Sequence, residues 1–409
     1  MRISTASQFD RSIDLIQRRQ QALQTSHDQL VSGKRVTRAS DDPTQAASAE
    51  RAMARDARLE ARERALEASR QTMVQAESAL GSSVDLMQRV RELVVQAGNA
   101  ATGDANRQAI AAEIKGLREQ LLGLSNQQDS AGAYLFGGLG GGGVPFTDSA
   151  NAVAFNGAGG TLAATDSEAL PLSVNGQKVW MQAPSGNGVF KTSYQADSGA
   201  PTTHQPQAWI DSGRVTDPSK IQDATYTLSF SGDDASGYAV SIARDPAGTP
   251  ALDPTPRPYV PGQAIEFDGI AVTVSGTPSP GNDTFKVEPS KPELSVFGVL
   301  DRLTNELGTS GRTGAQMAQT VQDGLRDLDS TMGSLMSMRS NLGWRMEQAD
   351  GLSSRWADGR LAAQSERSAA EDLDMVQAVS TFQSRQTSYD AALKAYSMVQ
   401  RMSLFEYIR

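Results

Sequence analysis

The chain has 409 residues, enough for two or three domains, and no cysteine, which excludes disulfides, thiolate catalysis and cysteine-based zinc sites. A net charge of −9 at pH 7 leaves no global basic footprint for nucleic acid, and the two histidines, His27 and His204, stand too far apart in sequence to suggest a ligand pair. With 38% hydrophobic and 6% aromatic residues the chain carries fewer large apolar side chains than a compact enzyme, which favours long thin helical layers.

Ala6, Phe9, Ile13, Ile16, Gln20, Leu23, His27 and Leu30 recur on alternating three- and four-residue steps. That spacing predicts an amphipathic helix whose seam has two polar interruptions, Gln20 and His27. No apolar leader core precedes it, so no cleaved Sec-type signal is expected. Gly33 suits the residue after the helix. Asp42 as N-cap, Pro43 at the first helical position and Gln45 two residues later then mark a new start. With no third ligand nearby, Asp41 and Asp42 read as turn and cap rather than as a metal site.

From Thr44 to about Gln96, Leu59, Leu66, Met73, Leu80, Met87 and Val94 recur every seven residues. A helix of about fifty residues, about 75–80 Å long, follows. Gly98 to Gly103 break it, and Thr102 or Asp104 is expected to cap a further helix carrying Ile110, Ile114, Leu117, Leu121 and Leu124. The short connection predicts antiparallel neighbours.

Helical periodicity disappears from about 137 to 292. The run Gly140–Gly143 lacks the following Lys-Ser/Thr of a phosphate loop and reads as a junction. Asn175-Gly176 and Asp268-Gly269 each predict a two-residue hairpin turn. In the second, pairing Phe267 with Ile270 and Ile265 with Val272 puts four apolar side chains on one face. Tyr226, Leu228 and Phe230 alternate in the same way. Trp180, Trp209 and Tyr226 read as core, with an aromatic sugar-binding platform as the alternative.

After Pro292 helix returns through Val296, Val299, Leu300, Leu303 and Leu307. Beyond Gly308–Gly314 it continues through Leu325, Leu328, Met332, Leu335, Leu342, Met346 and Trp356. Met332, Met336, Met338 and Met346 are expected to fill seam gaps. A final stripe of Val376, Val379, Phe382, Tyr389, Leu393, Tyr396 and Val399 leads to Leu404 and Phe405. The expected fold class is α+β, multidomain and elongated. A long antiparallel helical bundle or coiled coil is formed by both the N- and C-terminal regions, with a central β-rich insert. The boundaries are 1–40 for an N-terminal assembly helix, 41–136 and 293–370 for the helical body, 137–292 for the insert and 371–409 for a C-terminal assembly helix. No run of about eighteen apolar residues predicts a membrane span. No catalytic, metal or cofactor-binding residue emerges.

Several stretches resemble the flagellin-like superfamily, and within it the branch at the hook–filament junction. They are Ser32-Gly33-Lys34-Arg35-Val36 followed by Ala39-Ser40-Asp41-Asp42-Pro43, then Tyr134-Leu135-Phe136-Gly137-Gly138, and Asn341-Leu342-Gly343-Trp344-Arg345-Met346. The tail running from Glu371-Asp372-Leu373-Asp374-Met375 to Ser403-Leu404-Phe405-Glu406-Tyr407 completes the set. The resemblance covers about 1–138 and 294–409 and implies a non-enzymatic junction subunit without cofactors. It further implies export through the flagellar type III apparatus and an extracellular place on the flagellum. Hook-associated protein 1 and flagellin would be the axial neighbours, copies of the chain would form a ring, and an export chaperone would act before secretion. Nucleic acid and membrane insertion are not expected. The terminal helices would order on assembly, so their apolar residues, Phe9, Ile13, Ile16, Leu23, Leu30, Val376, Val379, Phe382, Tyr389, Leu393, Tyr396, Val399, Leu404 and Phe405, are the expected interface. The alternatives are a filament subunit, or a carbohydrate-binding or enzymatic insert on a flagellar scaffold.

Overall fold

Apolar spacing of three and four residues, uninterrupted by proline, produces the long helices, and clusters of Gly, Pro and Asp end them. In the computed structural model, residues 5–139, 143–149, 152–160, 171, 173–197, 200–201, 204–246, 252 and 255–407 are described, with side chains from 10 to 398. The helices are α1 (Thr5–Ser32), α2 (Pro43–Ala97), α3 (Asp104–Ser125), the single turn α4 (Gly176–Trp180), α5 (Val296–Gly308), α6 (Gly314–Glu371) and α7 (Met375–Tyr407). Contacts divide the chain into two compact units, Met1–Arg64 with Asp350–Arg409, and Ala65–Ala349.

In the central unit, Leu66, Met73, Leu80, Met87 and Val94 of α2 are buried, as are Ile110, Ile114 and Leu121 of α3. All five predicted apolar residues of α5 and Leu328, Met332, Leu335 and Leu342 of α6 join them. Arg89 of α2 bridges to Glu113 of α3 at 2.9 Å across the 98–103 reversal. Neither Thr102 nor Asp104 caps α3. Gly103 holds the N-cap position, and Asp104, already helical, instead bonds Arg107 at 3.1 Å and the Gly311 N–H at 3.0 Å. Met336 is exposed, so it fills no seam gap.

The insert begins with a short hairpin, β1 (Phe146–Asp148) and β2 (Val153–Phe155), and continues beyond α4 with β3 (Ala183–Pro184), β4 (Phe190–Ala196), β5 (Ala208–Ile210) and β6 (Arg214–Val215). It proceeds through β7 (Thr225–Asp233), β8 (Gly237–Asp245), β9 (Arg257–Pro258), β10 (Ala264–Phe267), β11 (Ile270–Gly276), β12 (Asp283–Pro289) and β13 (Pro292–Leu294). One sheet has the order β4-β12-β7-β8-β9 and another β10-β11-β5, with β6 also on β11. Phe190, Ile210, Tyr226, Leu228, Phe230, Val272 and Phe285 belong to one shared core of these strands. The β10–β11 register pairs Phe267 with Ile270 and Ile265 with Val272 as predicted. Asp268 and Gly269, with φ of 40° and 73°, make the type I′ turn, and the Asp268 carboxylate accepts from Tyr226 Oη at 2.9 Å. Burial, and then this hydrogen bond, push the Tyr226 hydroxyl pKa up to about 12.

The other predicted hairpin does not form. Asn175 caps α4 instead, its side-chain oxygen accepting the Lys178 N–H at 3.2 Å, and Leu172 lies outside the described residues. Asn-Gly serves an Asx cap as readily as a hairpin turn, and here aromatic packing selects the cap. Trp180 is buried against Phe297, with ring centroids 5.9 Å apart, and beside Phe136 and Phe146. Tyr226 is buried in the other core, so Trp180, Trp209 and Tyr226 form no common platform. Gly140 to Gly142 lie outside the described residues.

Candidate assembly interface

The terminal unit is built from α1, the turn at 33–42, the start of α2, the end of α6, and α7. Within it α2 and α6 are joined by charge as well as by packing. Arg360 reaches Asp56 at 3.0 Å and Glu63 at 2.7 Å, and Arg55 reaches Glu366 at 3.0 Å. Ala49, Ala52, Trp356, Ala363 and Ala370 are buried.

The 33–42 turn is densely hydrogen-bonded. Gly33, at φ 68°, takes the left-handed conformation that stops α1, and its N–H reaches the Gln29 carbonyl at 2.9 Å. Asp41 accepts from the N–H groups of Thr37 (3.2 Å) and Arg38 (2.8 Å) and from the Thr37 hydroxyl (3.0 Å). Asp42 accepts the Gln45 N–H at 3.1 Å, where α2 begins at Pro43, and lies 3.3 Å from Arg35. Hydrogen bonds from the Arg38 and Gln45 N–H groups, respectively, are the main cause holding both carboxyl pKa values below the usual range.

α7 lies along α1. Arg385 donates to the Ala22 carbonyl at 2.9 Å and to Ser26, Arg19 donates to the Ser388 carbonyl, and the His27 ring lies 6.2 Å from that of Phe382. The seam-position histidine is thus a packing partner of the facing helix. Asp374 starts α7 by accepting the Val376 N–H at 3.0 Å and the Gln377 N–H at 3.2 Å.

The expected interface residues separate into two groups. Ile16, Leu23 and Leu30 on α1, and Phe382, Tyr389 and Tyr396 on α7, are half-buried. Each triplet recurs every seven residues and so falls within about 40° of arc at 100° per residue, the geometry of a two-helix seam. Ile13 (41%), Val379 (43%), Leu393 (40%) and Val376 (85%) are instead exposed. The side chains of Phe9, Val399, Leu404 and Phe405 lie outside the described residues. Sequence periodicity also missed Leu15, Val31, Met375 and Met398, which are exposed too. On α7, Met375, Val376, Val379, Leu393 and Met398 span about 140° of arc beside the seam. An apolar arc that wide exceeds what one helical partner covers, and its excess over the seam was the signal available in the sequence.

Comparison with known proteins meets this arrangement from two sides. A profile described as the bacterial flagellin N-terminal helical region matches residues 3–140, and one described as the D2-like domain of flagellar hook-associated protein 1 matches 203–289. Flagellar hook-associated protein 3 of Escherichia coli (strain K12) is 22% identical over 410 residues, covering 99% of this chain and 99% of that protein. Its counterpart in Salmonella typhimurium is 32% identical over 146 residues, covering 36% of this chain, which therefore spans about half (46%) of that protein's length. The crystal structure of the flagellar junction protein from Legionella pneumophila superposes with a TM-score of 0.62 at 28% identity, covering 70% of this chain and 93% of that one. The chain is similar to flagellin-like hook-associated protein 3. The 33–42 turn and Tyr134 to Gly138 both fall inside the flagellin-type match, and β5 to β12 fall inside the D2-like one.

Proposed function

We propose that this chain is a non-catalytic structural protein of the bacterial flagellum that joins the hook to the flagellin filament. The observation that carries this reading is the apolar flank left uncovered on α1 and α7 after they have packed on each other. Burying each large apolar side chain contributes about 1.5–3 kcal/mol. A neighbouring subunit is what would supply that burial and offset the entropy of ordering the helices. In this reading, hook-associated protein 1 lies on the hook side and flagellin on the filament side. Further copies complete a ring, an export chaperone accompanies the chain before secretion, and export proceeds without a cleaved signal.

The test is addition of the purified full-length chain to isolated hooks bearing hook-associated protein 1, followed by electron microscopy. The expected result is a short terminal collar that then accepts flagellin. Indefinite elongation from filament seeds would make the chain a filament subunit instead. The Val376→Asp variant is expected to lose incorporation with unchanged far-UV helicity. Its normal incorporation would remove the exposed flank from the interface.

A further inference from the structure

The chain breaks its helices at two places far apart in sequence, Gly33–Asp42 after α1 and Asp372–Asp374 before α7, and the two breaks meet. Lys34 and Asp372 form an antiparallel bridge, the Leu373 N–H donates to the Gly33 carbonyl at 3.0 Å, and the Arg35 N–H donates to the Glu371 carbonyl at 2.6 Å. The Arg35 guanidinium donates to the Ala370 carbonyl at 3.0 Å while its other nitrogen reaches Asp42 at 3.3 Å. Lys34 Nζ lies 2.6 Å from the Glu371 carboxylate, whose side chain is only 12% exposed.

These contacts fall on the groups a helix cannot satisfy by itself. The last four carbonyls of α6 have no partner within the helix, and that end carries a partial negative charge. Residues 34 and 35, which follow α1, provide donors to two of those carbonyls and two cations beside them. The chain leaving α1 therefore caps α6 immediately before α7 begins. In return, the first residues after α6 hold the carbonyl of Gly33, where α1 stops.

We propose that this clasp couples the two hinges, so that α1 and α7 engage a neighbouring subunit, or withdraw from it, as one two-helix arm. The proposal rests on reading these helices as the assembly surface, and it assigns the control of that surface to Lys34, Arg35 and Glu371. Opening either hinge uncaps α6 and releases the other. Without the clasp, the three-residue link before α7 and the ten-residue link after α1 would flex independently.

The test uses the free full-length monomer, with amide hydrogen exchange followed separately over 10–32 and 375–398. Lys34→Glu sets two carboxylates against each other at the α6 terminus. It is expected to speed exchange in both helices by the same factor, on the order of three- to tenfold. The exchanged pair Lys34→Glu/Glu371→Lys is expected to return both helices to within about twofold of the parent, a recovery that mutual packing of α1 and α7 alone would not produce. Acceleration confined to α1, an unchanged rate in both, or a double variant no better than the single one would overturn the clasp. Exchange over 66–94 monitors the central unit, and if Lys34→Glu perturbs it, Arg35→Ala is read in the same way. Because the monomer alone is measured, failure here is distinct from failure to form the collar on hooks.

Discussion

The central and terminal units use one sequence device with opposite results. In both, apolar residues recur every seven positions along helices, as Met73, Leu80 and Met87 do in α2 and Ile16, Leu23 and Leu30 in α1. The first three are buried, whereas the second three are only half-buried and have Ile13 and Val31 exposed beside them. The difference lies in the number of neighbours. In the central unit α2 is bridged to α3 by Arg89–Glu113 and to α6 by Arg91–Asp329 and Glu77–Arg339, and Gly324 of α6 lies between Val94 of α2 and Leu303 of α5, while α1 and α7 have chiefly each other. A heptad repeat thus announces that a seam exists without saying whether one partner or several will close it.

The largest expected effect tests the central side of this contrast. Leu80→Ala removes a fully buried side chain and is expected to cost about 2–5 kcal/mol in the main denaturant transition, with a lowered midpoint and unchanged slope. A loss below about 1 kcal/mol would mean that the central unit is packed no better than the termini. Leu23→Ala, on the half-buried seam, is expected to cost about 1 kcal/mol locally. It should appear as faster amide exchange over 10–32, with the main transition left in place.

A smaller effect is expected in acid. The hydrogen bond from Lys34, supported by the charges of Lys34 and Arg367, holds the Glu371 carboxyl below its usual value of 4.5. A depressed folded-state pKa contributes stability that is fully present above the unfolded value and is lost as pH falls through the folded one. Asp41 and Asp42 shift in the same direction. Asp372 stands beside Glu371 and accepts from Ser368. Protection of 10–32 and 375–398, corrected for intrinsic exchange, is expected to hold between about pH 5 and 8 and to decline below about pH 4.5. Flat protection down to pH 3 would show that these carboxylates contribute nothing to the terminal unit.

Much of the helical architecture was legible from spacing because each long helix in the central unit buries one face against fixed neighbours. The β10–β11 hairpin was legible to the residue, since Asp268-Gly269 and the alternation around it specify turn and register together. Asn175-Gly176 misled because the same dipeptide also starts a helical turn, and the aromatic packing that decides between them is tertiary. Pairing of β4 with β12 joins Phe190 to Pro289 across nearly a hundred residues, and no local pattern encodes it. The clasp is similarly hidden. Lys34 and Glu371 each look like a solvated charge until the chain brings them together. Of the terminal stripe, the two heptad triplets could have been separated from their flanking residues by arc alone.

The two-sheet part of the insert is entered and left through paired strands. β3 pairs with β13, Ser185 N–H donates to the Lys291 carbonyl at 2.9 Å, and Lys291 N–H donates to the Ser185 hydroxyl at 3.0 Å. The segment from Asn187 to Pro289 therefore starts and ends at chain positions that already touch, and α6 also holds it, through Gln319 accepting the Ile210 N–H at 2.9 Å and Arg326 donating to the Thr192 carbonyl at 3.2 Å. The loops of such a segment can be lengthened or shortened while β3 and β13 still close the gap. The segment between these two ends is in this sense free to diverge in its loops while its ends keep their pairing.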